Sequence, residues 1–231
     1  MFKKAKEARM NSTLMLVTNA LAIVLIVKAA TNLVGDPPWR GRPVPWWSFA
    51  LSACVAVPSL TQQVWPALLG LLDRDPEEVT HHGQVWRLLT AAFVQDGGVP
   101  GTIFNLVTIV IVAALAEWYW GGRVMAATFL AAAVLFNAQG VAFDSAGAGN
   151  SGATFALGAS LAAALAISRT GRDRLQGVLV PLVGVVMTVL GNYHGQALVY
   201  GFVIGVVLWA LTRRGNRMQT QSQPTTERRA S

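Results

Sequence analysis

Residues 151–168 read SGATFALGASLAAALAIS and contain no charged side chain. A helix rises about 1.5 Å per residue, so roughly 20 helical residues cross the hydrocarbon core of a bilayer. Most side chains in this stretch are those of Ala, Gly or Ser, which let two membrane helices approach each other closely. The stretch therefore predicts a membrane-spanning helix that packs tightly against its neighbours.

Six further apolar segments extend this pattern along the 231-residue chain, near 12–34, 46–72, 101–120, 123–143, 175–191 and 194–212. The chain is 53% hydrophobic and only 13% charged, whereas a soluble domain carries about 25% charged residues. The sequence therefore predicts an all-α fold, a polytopic helix bundle in the cell membrane. It divides the chain into a basic N-terminus with an extra helix (1–45), a membrane core (46–212) and a basic disordered tail (213–231).

The placement of basic residues favours a membrane over nucleic acid as the partner. The chain has 18 Lys and Arg against 11 Asp and Glu. They flank the apolar segments, where basic residues set topology and contact lipid headgroups. One side of the last five segments is expected to be cytoplasmic because it carries Arg123, Arg169, Arg172, Arg174, Arg213, Arg214 and Arg217. If all seven segments cross, the basic residues before the first one lie on the outer side, which conflicts with this orientation; they are Lys3, Lys4, Lys6 and Arg9. Either the first segment does not cross simply, or the whole orientation is inverted.

Ser151 is a candidate nucleophile at the start of its segment. A hydroxyl becomes nucleophilic when a base accepts its proton. Gly149 and Gly152 let the backbone turn sharply and let a carbonyl group approach. The free N–H groups at the start of a helix also favour a developing oxyanion. The same string is compatible with an ordinary loop rich in Gly and Ser.

His194 is the candidate base, since it begins the last segment on the same side of the membrane as Ser151. A stripe of small residues follows it at Ala197, Gly201 and Gly205. The 151–168 segment offers a matching stripe, formed by Gly152, Ala156, Ala159 and Ala163. Packing of the two stripes would bring the two side chains within hydrogen-bond distance. The alternative is a histidine that only caps a helix, and Phe155 is placed either against the imidazole or toward lipid.

Other intramembrane chemistries fit the sequence poorly. A zinc protease needs histidines spaced along one helix face, whereas His81 and His82 are adjacent in a loop. An aspartate dyad needs two acids within the bilayer, whereas the Asp residues lie in loops or near segment ends. No metal and no cofactor is therefore expected. No acid is evident to orient His194, so the expected arrangement is a Ser–His dyad.

In combination and in this order, several motifs resemble those of the rhomboid family of intramembrane serine proteases. They lie between Gly83 and Trp209 and comprise Trp86-Arg87, Asn105, Glu117 with Gly121, Gly149-Asn150-Ser151-Gly152-Ala153 with Leu157-Gly158-Ala159, and His194 with Gly201. The resemblance implies a six-helix core preceded by one added helix. It also implies that Asn105 donates to the oxyanion and that the substrates are transmembrane or membrane-adjacent peptide segments of other membrane proteins.

The chain departs from the family pattern at Gly101, where the family usually has a histidine four residues before the asparagine. Loss of one oxyanion donor costs on the order of 10²–10³ in rate. Ala197 also replaces a glycine. A catalytically weak or inactive relative that binds client helices is therefore the alternative to a protease. A small-solute transporter is disfavoured because the sequence shows neither paired broken helices nor charges at mid-membrane.

Overall fold

The structure, a computed structural model, describes residues 2–35 and 37–221, with side chains described for 14–35 and 37–213. Within these ranges the regular elements are helical and no β-strand occurs. A 3₁₀ turn covers Ala91–Phe93. The α-helices are α1 (Phe2–Val34), α2 (Trp46–Val64), α3 (Ala67–Leu72), α4 (Pro76–Thr80), α5 (Arg87–Thr90), α6 (Gly98–Trp120), α7 (Gly122–Ala142), α8 (Ser151–Ser168), α9 (Gly171–Val189) and α10 (His194–Gln221).

Five segments in the described part of the chain are long and apolar enough to cross a membrane. They are Leu14–Val34 of α1, all of α6, α7 and α8, and His194–Arg213 of α10. The predicted all-α, polytopic membrane bundle is therefore confirmed. The remaining two predicted segments correspond to α2 with α3, and to α9, which begins with the charged run Arg172-Asp173-Arg174.

The prediction of one continuous segment over 46–72 is wrong. α2 ends at Val64 and α3 begins at Ala67. Pro66 disfavours helical geometry at the residue before it, and Trp65 accordingly has φ −130° and ψ 80°. The break ends α2, and α3 begins the long connection that leads to α6.

α8 is the centre of the bundle, because every residue from Gly152 to Ala166 is buried. It packs against α1, α6, α7, α9 and α10. The Ala-, Gly- and Ser-rich composition of α8 explains this position, since small side chains allow five helices to surround one. The residues at the start of α8 are therefore held in place by several neighbouring helices.

At two glycines of α10, the backbone of that helix lies directly against the backbone of α8. A Cβ atom on Gly201 would overlap the backbone of Ala156, and one on Gly205 would overlap the backbone of Ser160. These positions belong to the predicted small-residue stripe of α10. Gly152, expected on the facing stripe of α8, instead packs against the ring of Phe136 in α7.

The added helix α1 runs along the bundle and contacts α6, α8 and α9. Ile26 at its middle packs on Gly158 of α8. Toward its C-terminal end, the amide of Asn32 donates to Gln176 at 2.7 Å and to Asp173 at 3.3 Å. α1 therefore extends from the end of the bundle that holds Ser151, where Asn192 contacts it, to the start of α9.

The last helix extends past residue 212, where the sequence placed the end of the membrane core. α10 continues as a helix to Gln221, because Thr212 to Gln221 contains one glycine and no proline to stop it. The end of the predicted disordered tail, 222–231, lies outside the described residues.

Candidate active site

Ser151 and His194 form a hydrogen-bonded pair at one end of the bundle. The Oγ atom of Ser151 lies 2.8 Å from Nε2 of His194. Each is the first residue of its helix, α8 or α10. The close backbone contact at Gly201 fixes the distance between these helices, and that distance sets the separation of the two side chains. Serine and imidazole in this geometry can exchange a proton.

Two aromatic rings enclose the imidazole of His194. Phe155 is fully buried and its ring centroid lies 5.0 Å from that of His194. Phe136 of α7 lies 5.4 Å away at an angle of 37°. Phe155 therefore faces the imidazole and not lipid. The sequence did not predict that Phe136 contacts the imidazole, because its position depends on how α7 packs against Gly152.

The amide of Asn192 contacts the other side of the imidazole. Its Oδ1 atom lies 3.0 Å from Nδ1 of His194 and accepts the backbone N–H of His194 at 3.1 Å. The side chain is 4% exposed. The sequence predicted no partner for this face of the ring. The signal that points to Asn192 is its place just before a helix, where Asn side chains often accept backbone N–H groups.

Asn105 lies beside the start of α8 and is held by a buried glutamine. Its Nδ2 atom donates to Oε1 of Gln95 at 2.7 Å. Gln95 in turn donates to Oδ1 of Asn150 at 2.9 Å, and its backbone N–H donates to Gln62 of α2 at 2.8 Å. This network connects α2, α6 and α8 under the candidate nucleophile. Gln62 and Gln95 were missed because they come together only when the connection folds back over α2.

Gly149 leaves the space between Asn105 and Ser151 open. A Cβ atom at this position would lie 3.5 Å from Nδ2 of Asn105 and 3.7 Å from Oγ of Ser151. Its φ of +142° is also one that other residues rarely adopt. By contrast, a Cβ on Gly101, one turn before Asn105, would have no atom within 4 Å.

Arg74 fixes the loop that leads into Ser151. Its guanidinium donates to the carbonyl oxygens of Ser145 and Ala146 at 2.6 and 3.2 Å, and to Asn137 at 3.0 Å. The backbone of Arg74 also pairs with that of Gly147. Burial lowers the pKa of Arg74, and the nearby carboxylate of Asp96 opposes that shift. The arginine therefore orders the approach to α8.

The arginine of the Trp86-Arg87 motif stabilises the long connection between α2 and α6. Arg87 is 5% exposed, and its guanidinium contacts the carboxylate of Asp73 at 2.8 Å and the carbonyl oxygen of Gly70 at 3.0 Å. Burial raises the pKa of Asp73, although the charge of Arg87 acts in the opposite direction. Trp86 itself is exposed. This motif holds the connection together and does not reach the serine.

The Ser151–His194 pair lines a cavity of about 290 Å³, together with Met15 of α1 and Asp96. In the described ranges, no group of three His, Cys, Asp or Glu side chains is placed to hold a metal ion. Ser151 and His194 offer an alcohol and a base at this cavity, and the amide of Asn105 lies beside Gly149, which also lines it. An alcohol, a base and an N–H donor are the groups that acyl transfer requires.

Comparison with known proteins identifies the fold family. The family model described as Rhomboid domain matches residues 82–215 of the 231-residue chain. A search of the curated proteins found no match. The match covers more than half of the chain and includes α6 to α10, the helices that carry Asn105, Ser151 and His194. The protein belongs to the rhomboid family.

Proposed function

We propose that the protein is a serine endopeptidase of the cell membrane that cleaves transmembrane or membrane-adjacent segments of other membrane proteins. One observation carries this proposal: the 2.8 Å contact between Oγ of Ser151 and Nε2 of His194 at the start of two membrane helices. Polar groups within a membrane protein are costly and usually functional. Membership of the rhomboid family supports the same reaction class.

In the proposed reaction, Oγ of Ser151 attacks the carbonyl carbon of the scissile peptide bond while Nε2 of His194 accepts the hydroxyl proton. The imidazolium then donates this proton to the leaving amine as the C–N bond breaks. Water hydrolyses the resulting acyl-enzyme, with His194 again acting as base. As the bond between the acyl carbon and Oγ of Ser151 breaks, His194 returns the water proton to Oγ. Ser151 supplies the nucleophile and His194 carries the protons, so this chemistry calls for no cofactor.

The oxyanion of the tetrahedral intermediate would lie beside Gly149. Gln95 accepts one N–H of the Asn105 amide and leaves the other N–H for the oxyanion. The backbone N–H of Ser151 is in the first turn of α8 and has no acceptor within the helix. These two donors are fixed before the substrate binds, which is the condition under which they stabilise a transition state most.

A substrate helix must be locally unwound before Ser151 can attack it, since the backbone groups of a helix are bonded to each other. Substrates with small, helix-weakening residues near the cut are therefore favoured. The direct test of the proposal is labelling of the detergent-solubilised protein with a fluorophosphonate, which reacts with activated serines. Labelling of the wild type supports the protease, and folded wild-type protein that stays unlabelled contradicts it.

The variant Asn105→Leu tests the proposed oxyanion donor. We expect its labelling rate to fall by about 10²–10³, the typical effect of losing one such donor, because leucine keeps the volume but has no N–H. Thr108→Val is the matched control, since Thr108 lies on the same helix and its hydroxyl bonds only within α6, to Phe104. Equal labelling rates for Asn105→Leu and wild type would show that this amide does not stabilise the oxyanion.

A client-binding protein without proteolysis is the second candidate function, and Gly101 favours it. The position has room for a side chain, since no atom lies within 4 Å of its Cβ position, and it is one helical turn from Asn105.

We expect Gly101→His to raise the labelling rate by about tenfold or more, part of the 10²–10³ that one donor contributes. Gly101→Leu is the control that adds bulk without a donor. Equal labelling rates in both variants and wild type would show that the lack of a histidine at position 101 does not limit the reactivity of Ser151.

A further inference from the structure

A chain of hydrogen bonds connects the added helix α1 to the imidazole of His194. The side-chain N–H groups of Asn192 donate to Oγ1 of Thr18 at 3.1 Å and to Oδ1 of Asn19 at 2.9 Å. On its other side, Oδ1 of Asn192 contacts Nδ1 of His194 at 3.0 Å. α1 lies outside residues 82–215, the part of the chain that matches the family domain.

The backbone of His194 fixes which way the Asn192 amide points. A backbone N–H can only donate a hydrogen bond, and that of His194 is directed at the Asn192 side chain at 3.1 Å. The atom facing it must therefore be the oxygen. That same oxygen faces Nδ1 of His194, so Nδ1 must carry the imidazole proton. Nε2 is then left with its lone pair directed at Ser151, which is the form that a general base requires.

The hydroxyl of Thr18 is oriented in the same way. It donates its proton to the carbonyl oxygen of Met15 within α1 at 3.0 Å, which leaves its lone pairs to accept from Asn192. The amide of Asn192 thus uses both donors on α1 and its acceptor on His194. An amide satisfied on both sides and 4% exposed has little freedom to rotate.

The two partners on α1 stand out from the rest of that helix. Thr18 and Asn19 are the only polar residues between Leu14 and Val27, and a polar side chain in a membrane helix is kept where it has a partner. The contact of Ile26 with Gly158 and the hydrogen bonds of Asn32 with α9 hold α1 in place independently. The α1 helix is thereby positioned to present Thr18 and Asn19 to Asn192.

We propose that Asn192 is a positioning residue that selects the Nδ1–H form of His194, and that α1 holds Asn192 in place through Thr18 and Asn19. A helix outside the matched domain thus completes the active site. The effect of this arrangement on rate rests on the proposed protease function. Its effect on the imidazole does not, so the two proposals can be tested separately.

The first experiment observes the imidazole directly. The chain has three histidines, His81, His82 and His194, so His81→Gln with His82→Gln leaves one. ¹⁵N NMR of this histidine-labelled protein, at a pH where the ring is neutral, is expected to show a protonated Nδ1 and an unprotonated Nε2. Asn192→Leu is expected to shift the population toward a protonated Nε2. A wild-type ring protonated at Nε2, or a spectrum unchanged by Asn192→Leu, would overturn the proposal.

The second experiment measures fluorophosphonate labelling rates. Asn192→Leu is expected to lower the rate by about 10- to 100-fold, part of the 10²–10⁴ that a general base contributes. Thr18→Val with Asn19→Leu keeps the side-chain volumes of α1 and is expected to lower the rate about five- to tenfold, as for the loss of one or two hydrogen bonds. Asn32→Leu is the matched control, because it removes a polar contact between α1 and α9 far from His194.

The outcomes separate the proposals. A wild-type rate and spectrum in the Thr18→Val, Asn19→Leu variant would overturn the role of α1. An equal loss of rate in Asn32→Leu would do so too, since it would show that α1 acts only through general packing. Absence of labelling in folded wild type would contradict the protease function, while the NMR spectrum would still decide whether Asn192 positions His194.

Discussion

Replacing Ser151 with alanine is expected to abolish fluorophosphonate labelling and substrate cleavage while the protein stays folded. The loss should be roughly 10⁴–10⁶ in rate, since removal of a serine nucleophile leaves only background catalysis. The fold should persist because the substitution removes one atom, and His194 keeps its hydrogen bonds to Asn192. The measurements are in-gel labelling and the thermal unfolding midpoint in detergent.

The control for this variant is Ser168→Ala, an exposed serine at the opposite end of α8, which should behave as wild type. His194→Ala is expected to show a similar loss, because the serine hydroxyl then has no base. Residual cleavage near the wild-type rate in Ser151→Ala would show that the nucleophile lies elsewhere.

The substitution Gly201→Val is expected to reduce labelling by about 10²-fold or more, although Gly201 does not line the cavity. Its Cβ would overlap the backbone of Ala156, so α8 and α10 must move apart and separate Ser151 from His194. Misplacement of reacting groups by about 1 Å can cost 10² in rate. We also expect a loss of about 1–3 kcal/mol in the free energy of unfolding, as for other overpacked cores.

Val203→Leu is the matched control, because it adds a methylene group to the same helix at a side chain that is 55% exposed. Labelling rates and thermal unfolding midpoints of the two variants, measured in the same detergent, test the prediction. A Gly201→Val protein as active and stable as wild type would show that the α8–α10 contact does not set the geometry of the pair.

Much of the fold could be predicted because hydrophobic length is a local property. The apolar runs at 101–120, 123–143 and 194–212 match α6, α7 and the first part of α10 to within a few residues. The 46–72 segment could not be read correctly from hydropathy, since the break depends on the backbone conformation imposed by Pro66. Composition alone also gave no end point for the last helix, which continues to Gln221.

The candidate site, too, could be predicted from the sequence only in part. The sequence placed Ser151 and His194 at the start of two helices on one side, and it matched Gly201 to the small residues of α8. It could not show that Gly152 faces Phe136 and not α10, because the rotation of a helix depends on all its neighbours. Gln95 and Asn192 were missed because a single Gln or Asn in a loop has no local feature that reveals its partner.

The sequence by itself determined a helical membrane bundle, the residue types of a serine and a histidine at helix starts, and the small-residue contact between their helices, because these depend on composition and spacing. Only the tertiary structure decided that α1 packs along α8 and reaches Asn192, that Gln95 holds Asn105, and that Phe136 and Phe155 enclose the imidazole. Hydrogen bonds and ring contacts act over a few ångströms, so they depend on distances between residues that are remote in the chain.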